Sequence, residues 1–293
     1  MRFEFIQAEK DNFPLWLLCR AMSVSRKGYH SWQSRGSTSK NDGSATLDQA
    51  VREVHREHKR RYGSRRVKAE LDKKGIKAGR TAVRQSMRRQ NLKVRYPKPF
   101  RKTTVSDPNA AFAPNILDRN FACEAPNTAW VGDISYVNTS GGFLYLAVVI
   151  DLHSRMVVGW SVQSHMRAEL VDDALRMAVG RRDSRPRVFH SDRGSQYTSS
   201  KFSETCGEFG IVQSMSRKGN CWDNAVSESF FSAIDRELLS DGRSWSPERS
   251  RLEIFTYIET YYNRRRLHST LGYQSPADFE KQASTIAELA RSA

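Results

Sequence analysis

At 293 residues with 38% hydrophobic content, the chain has room for two or three compact modules and a substantial core in at least one of them. The net charge of +16 is lopsided: Met1 to Ala110 hold 27 Lys or Arg against 10 Asp or Glu, a net of +17, and the rest hold 21 against 22, a net of −1. That asymmetry suits a polyanion-binding module joined to a nearly neutral one, and it excludes a spanning membrane protein, because the longest apolar run, Phe143 to Ile150, is far short of the ~20 residues required.

The N-terminal MRFEFIQAEKD places acids where an export signal needs an apolar core, so export is not indicated and a cytoplasmic protein is expected. Phe13 to Ser34 reads as a helix, a short turn and a second helix that Ser23 or Ser25 would cap, a helix-turn-helix pattern. Gly36 to Ser44, all turn formers and polar residues, reads as a linker. Three helical patterns follow, Thr46 to about Arg61, Ser64 to about Lys74 and Arg80 to about Asn91, with Val67, Leu71, Val83 and Met87 as the core-facing stripe. Around them stand Arg65, Arg66, Lys68, Arg80, Arg84, Arg88 and Arg89. A three-helix unit whose last helix enters the major groove uses that surface, and a basic helical linker holding DNA nonspecifically uses it too. His55 and His58 lie three apart without cysteine partners and are expected to face solvent. Cys19, Cys123, Cys206 and Cys221 are scattered, with no zinc-site spacing, as in reduced thiols.

Pro97, Pro99, Pro108 and Pro114 mark an extended connector. Beyond it the period changes: Trp130 to Val137, Phe143 to Leu152 and Arg155 to Val162 are β-branched and aromatic runs of an antiparallel meander. A helix carrying Val171, Ala174, Leu175 and Ala178, a strand over Arg187 to Asp192, a helix over Ser200 to Phe209, a strand over Ile211 to Ser216 and a helix over Val226 to Leu239 complete the pattern. Hairpin-linked strands followed by alternating helix and strand give an α/β class: a ribonuclease-H-like core, a mixed sheet flanked by helices, preceded by a basic all-helical region. The expected divisions are 1–44, a helix-turn-helix-like segment with its linker; 45–95, the basic helical domain; 96–122, the connector; 123–280, the catalytic core; and 281–293, a tail.

Three acids stand out by context. Asp133 sits inside a strand between Val131 and Ile134, where an uncompensated charge is costly. Asp192 ends a strand. On the late helix Val226, Phe230, Ile234 and Leu238 form the i, i+4, i+8 stripe, and Glu228 points about 200° away from Phe230. Such a set suits phosphodiester chemistry, in which two Mg²⁺ ions activate the attacking oxygen and stabilise the leaving one, with carboxylates as the preferred ligands. Any one of the three, taken alone, is also read as an ion-paired or capping group.

WVGDISYV, HSDRGSQY and SRKGNCWDNAVSESFF resemble the three catalytic motifs of the downstream reading-frame product of insertion-sequence transposases of family three, in the superfamily of DDE transposases and retroviral integrases. Between Asp192 and Glu228 lie 35 residues, the spacing of that superfamily, and Tyr262 to Phe279 (YNRRRLHSTLGYQSPADF) is similar to its C-terminal signature. The similarity extends over roughly Ala45 to Glu280, with Ser135 where many relatives have threonine. The resemblance implies that Asp133, Asp192 and Glu228 are catalytic metal ligands, with two Mg²⁺ per site and Mn²⁺ as a substitute. It places His190, Ser195, Gln196, Lys218, Asn220 and Asn224 within the motifs as supporting or DNA-contacting residues, each equally able to cap a helix or brace a turn. Arg264, Arg265 and Arg266 form a further phosphate-contact run or a solvated one.

The implied activity is cleavage of double-stranded DNA at an element's terminal repeats and transfer of the 3′-hydroxyl into target DNA. A homo-multimer is expected, with the upstream-frame product as partner or fusion. Two rivals remain: a DNA-binding regulator inactive without that upstream partner, and a ribonuclease-H-like nuclease that does not join strands.

Overall fold

The computed structural model describes residues 2–36, 40–95, 112–217, 221–240 and 245–292, and the chain divides into two compact units, Met1–Val94 and Arg95–Ala293.

The first unit is all helical. α1 (Arg2–Glu9), α2 (Leu15–Ala21) and α3 (Arg26–Gly36) enclose a small core of Ile6, Leu18, Cys19 and Tyr29, with Phe3 stacked on Trp32 at 5.8 Å. Ser25 caps α3, its hydroxyl accepting the Gly28 N–H at 3.0 Å, while Ser23 takes the left-handed conformation of the turn (φ 53°). The expected linker from Gly36 to Ser44 is shorter than its composition implied: α3 runs to Gly36, α4 (Lys40–Glu57) begins at Lys40, and residues 37–39 lie outside the described residues.

α5 (Ser64–Lys73) and α6 (Arg80–Arg89) pack with α4 around Val51, Val54, Tyr62, Val67, Leu71, Val83 and Met87. His55 and His58 do not face solvent. With Val51 and Val54 they complete the i, i+3, i+4, i+7 stripe that α4 buries. The His58 ring stacks on Tyr62 at 3.8 Å, and the His55 Nε2 lies 3.2 Å from the Lys93 carbonyl oxygen. Burial lowers the His55 pKa, so the ring packs as a neutral group.

The second unit is built on one five-stranded sheet in the order β3-β2-β1-β4-β5: β1 (Ala129–Thr139), β2 (Gly142–Asp151), β3 (Val157–Gln163), β4 (Val188–Ser191) and β5 (Val212–Met215). β1, β2 and β3 form the antiparallel meander, and β1, β4 and β5 run parallel, as the crossover helices between them require. α7 (Ala168–Arg181) and α8 (Ser200–Glu208) cover one face, joining Leu170, Val171, Ala174, Leu175, Ala178, Phe202 and Cys206 to Trp130, Ala147, Val149, Val158 and Phe189 of the strands. A Cβ on Gly159 would run into the Ala174 carbonyl and the Ala178 methyl, so α7 lies closer to β3 than any side chain there would permit.

α9 (Ala225–Ile234) packs against β1 and continues through a π-helical turn, Asp235–Leu239. α10 (Pro247–Thr256), likewise extended by a π-helical turn at Tyr257–Tyr262, and α11 (Pro276–Ser292) complete the unit. α11 runs helically through the expected tail.

The C-terminal signature has an internal bonding role. The Asn263 side chain holds edge strand β3, its Oδ1 accepting the Val157 N–H at 3.0 Å and its Nδ2 donating to the Val157 carbonyl at 2.9 Å. Arg266 is buried and forks onto Glu237 at 2.8 to 3.1 Å, with the Tyr257 hydroxyl donating to the same carboxylate at 2.9 Å. Burial works against the Arg266 charge, yet Glu237 holds its pKa above the ordinary arginine value.

Residues 96–111 of the expected connector lie outside the described residues. Its remainder is pinned to β5: the Ile116 and Leu117 N–H groups both donate to the Ser214 hydroxyl, at 2.9 and 3.2 Å, and Leu117 is buried.

Candidate active site

The three acids are brought together by strand register, side-chain alternation and helix phase. In the parallel β1–β4 ladder Ala129 pairs with Val188 and Val131 with His190. Extending that register by two residues, just past the carboxyl end of β4 and midway along the longer β1, brings Asp133 abreast of Asp192. Neighbouring strands are about 4.8 Å apart. Alternation then selects the face. Trp130 and Ile134 point into the core under α7 and α8, so Asp133 points to the opposite face, the one on which α9 packs.

On α9 the buried residues are Ser227, Phe230, Ala233 and Ile234, while Glu228 is exposed. The carboxyl ends of parallel strands are where α/β sheets of this kind bind ligands.

The electrostatics follow from that crowding. Burial raises the Asp133 pKa well above the usual carboxylate range, and the charges of Asp192 and then Glu228 push it further. The Ile134 N–H, 2.8 Å from Asp133 Oδ1, and the Asn224 side chain oppose the shift by hydrogen bonding to the carboxylate. Asp192 Oδ1 accepts the Gly194 N–H at 2.9 Å.

Tyr197, which sequence reasoning did not single out, lies below. Its phenol is buried and is pushed well above its ordinary pKa by burial and by Asp133 and Asp192, so the oxygen keeps its proton. Gly132 permits this arrangement: a Cβ there would run into the Phe189 ring and stand 3.2 Å from the Tyr197 hydroxyl.

Like charges held this close repel unless a cation joins them. The donors the site could offer are all oxygen: three carboxylates and the buried Asn224 Oδ1, which has no hydrogen-bond partner among the described residues. Hard oxygen donors suit Mg²⁺ or Mn²⁺ and not zinc. Among the described residues no three His, Cys, Asp or Glu side chains stand close enough together to hold a metal ion, although the charges of Asp192 and Glu228 both reach Asp133.

The other motif residues divide. His190 is fully buried and faces β5, with Nδ1 2.9 Å from the Ser214 hydroxyl and Nε2 3.2 Å from that of Ser216; burial lowers its pKa. It braces β4 against β5 and is not presented to DNA. Gln196 is tied to the Met166 carbonyl at 2.8 Å, and Ser195 is exposed beside the site. Lys218 and Asn220 lie outside the described residues.

Asp223, absent from the sequence reading, is the hub beneath α9. It accepts from Arg119 Nε at 2.7 Å, from Asn115 Nδ2 at 3.1 Å, and from the Arg217 backbone and guanidinium at 3.0 to 3.1 Å. Arg217 foremost among these holds the Asp223 carboxyl far below its usual pKa. The only sequence signal was its place beside Asn224.

The basic residues divide as well. Arg80, Arg84 and Arg88 form an exposed i, i+4, i+8 stripe on α6, flanking the buried Val83 and Met87, and Arg65 is exposed on α5. Arg89 pairs with Asp48 at 2.6 Å and Lys68 with Asp72 at 2.5 Å, and Arg66 lies over the Tyr62 ring. Arg264 and Arg265 are exposed, whereas Arg266, read as a DNA contact, is interior and committed to Glu237. The π-helical turn at Asp235–Leu239 adds a residue to its turn and brings Glu237 inside with Leu238, which the sequence period could not foretell.

Comparison with known proteins agrees with this architecture. Integrase core domain models match residues 124–221 and 209–276, and an HTH-like domain model matches residues 44–100. A transposase for insertion sequence element IS904 from Lactococcus lactis is 41% identical over 239 residues, 81% of this chain and 94% of that protein. Transposase InsF for insertion sequence IS3A from Escherichia coli is 37% identical over 286 residues, 96% of this chain and 99% of that protein. Among solved structures, the HTLV-2 integrase catalytic core domain in complex with magnesium aligns at 18% identity and a TM-score of 0.42, over 54% of this chain and 98% of that one. On the extent of those sequence matches, the chain belongs to the IS3 family of insertion-sequence transposases.

Proposed function

We propose that the chain cuts DNA at the ends of its insertion sequence and joins the freed ends to target DNA, with Asp133, Asp192 and Glu228 holding two Mg²⁺ ions, for which Mn²⁺ substitutes. The observation that carries this reading is the β1–β4 register, which sets Asp133 abreast of Asp192 on the face covered by α9, where Glu228 is exposed. Bound there, divalent cations would activate the attacking oxygen of a phosphodiester exchange and stabilise the leaving one.

The protein's part is to hold its donors. Asp133 and Asp192 stand on the rigid sheet, and Asn224 hydrogen-bonds to Asp133 while its own Oδ1 is left for a cation or its water. Glu228 closes the set from the helix. Cleavage adds water across the phosphodiester and leaves a 3′-hydroxyl, which then displaces a bridging oxygen in a second strand. No protein oxygen becomes covalently attached, in contrast to recombinases that use a tyrosine or serine nucleophile. Arg80, Arg84 and Arg88 of the HTH-like domain, with Arg65, supply the duplex-binding charge, and the exposed Ser195, Arg264 and Arg265, together with Lys218 and Asn220 of the third motif, would contact the DNA backbone. Two element ends require a multimer, and the upstream-frame product is its partner.

The test is cleavage of end-labelled element-terminal DNA by the purified chain, with and without the upstream-frame product, in Mg²⁺, Mn²⁺ or EDTA. Nicks with 3′-hydroxyl ends in Mg²⁺ and Mn²⁺ but not in EDTA are expected. Binding without nicking by the chain alone, with nicking only when the upstream-frame product is added, would make the isolated chain a regulator, and no nicking in either case would overturn the reading.

A further inference from the structure

The N-terminal helices carry a surface that neither DNA binding nor catalysis uses. Phe5, Phe13, Trp16 and Leu17 are 47%, 50%, 54% and 41% exposed, four large apolar side chains within thirteen residues. Phe13, Trp16, Leu17 and Arg20 follow an i, i+3, i+4, i+7 spacing, which is one face of α2 and the turn leading into it. The opposite face of α2 supplies Leu18 and Cys19 to the small core, with Leu15 and Met22 packed beside them. A helix apolar on both sides is made to be covered on both sides.

Charge identifies what covers it. Residues 2–21 hold three bases (Arg2, Lys10, Arg20) and three acids (Glu4, Glu9, Asp11), whereas residues 22–95 hold 21 bases against 6 acids. The basic remainder of this unit attracts DNA and repels another copy of itself, and the neutral α2 face does neither. The stripe is also polar from end to end. Glu9, Lys10 and Asp11 give a net negative charge before it, and Arg20 a positive charge at its close. A second copy laid antiparallel across α2 would set each Arg20 opposite the other's acids and oppose the two helix dipoles.

We infer that the outer face of α2 is a homodimer contact, in which Phe13, Trp16 and Leu17 of two chains pack on one another about a two-fold axis. Such an interface is isologous, each residue meeting its own counterpart or a near neighbour. Large apolar anchors at its centre carry most of the affinity.

The test uses the full chain in sedimentation equilibrium across micromolar concentrations, comparing wild type with Trp16→Ser/Leu17→Ser. A concentration-dependent dimer is expected for wild type, with a dissociation constant at least ~30-fold weaker in the variant. Circular dichroism and electrophoretic mobility shift on duplex DNA accompany it, and helix content and DNA affinity per chain are expected to match wild type. A wild type that stays monomeric, or a folded variant that dimerises as tightly, overturns the contact. If the double variant fails to fold, Leu17→Cys under mild oxidation decides. A disulfide-linked dimer is expected, absent from wild type and from Arg26→Cys treated alike, and its absence overturns the proposal.

Discussion

At Asp133 a carboxyl is placed where burial and two neighbouring acids all favour its protonated form, and only a hydrogen-bonded amide and one N–H lean the other way. That tension makes Asn224 a sensitive position. Removing the amide in Asn224→Ala is expected to raise the half-saturating Mn²⁺ concentration for cleavage by 10- to 100-fold, as loss of a supporting group around a metal commonly does, and an unchanged metal requirement in a titration of nicking rate would count against its role. Asp223 responds to acid in the opposite sense from Asp133. Its folded pKa lies below its unfolded value because of Arg217 and Arg119, so it contributes stability above about pH 4, and that contribution is lost as pH falls further, toward the folded pKa. Asp223→Asn is therefore expected to be less stable near neutrality and to have a flatter acid limb in urea melts between pH 5 and pH 2.5. The phase of Glu228 was legible in the sequence, because 100° per residue and the Phe230, Ile234, Leu238 stripe fix it locally. The pairing of Asp133 with Asp192 was not, because a parallel register joins segments 59 positions apart, and no local period reports it. Asp223 was invisible for the same reason, since its partners Asn115 and Arg119 come from a segment that composition marked as connector.

Among elements, strands and helices with a clean period formed where their patterns placed them, and the departures have local causes. The π-helical turn after α9 lets Glu237 face inward, where it fixes Arg266 and Tyr257, converting part of a positively charged run into an interior brace. Glu237→Ala would leave that arginine buried and unpaired, at a cost of about 3–5 kcal/mol measurable by chemical denaturation. Tight glycine contacts are the other device: Gly159→Ala must push α7 away from β3, with an expected loss of about 1–3 kcal/mol in the same melt. On α6 the prediction concerns binding. Arg84→Ala/Arg88→Ala is expected to weaken affinity for duplex DNA and to lower the slope of log affinity against log salt by about two, one for each phosphate contact removed. An unchanged slope would mean that the exposed stripe does not meet the backbone. The buried pair His55 and His58 was misread because their stripe was counted as charged surface, although imidazole rings fill the i+4 and i+7 positions of α4 as well as an aliphatic group would.

Across the whole molecule, charge and chemistry are separated: the basic helical unit carries almost the entire positive excess, and the carboxylate cluster lies on a sheet unit that is close to neutral. Composition alone disclosed that division, since a net of +17 followed by −1 needs no structure to read. Binding and cutting should accordingly fail independently. The most direct measurement is parallel nicking and mobility-shift assays on labelled element-end DNA with wild type and Glu228→Gln, a substitution that keeps the shape and removes the charge. Wild type should nick in Mg²⁺, and Glu228→Gln should lose nicking by more than ~10³-fold, the scale of a group essential to the transition state, while binding DNA within about twofold of wild type. Glu228→Gln that cuts and joins at the wild-type rate would contradict the assignment of the three carboxylates.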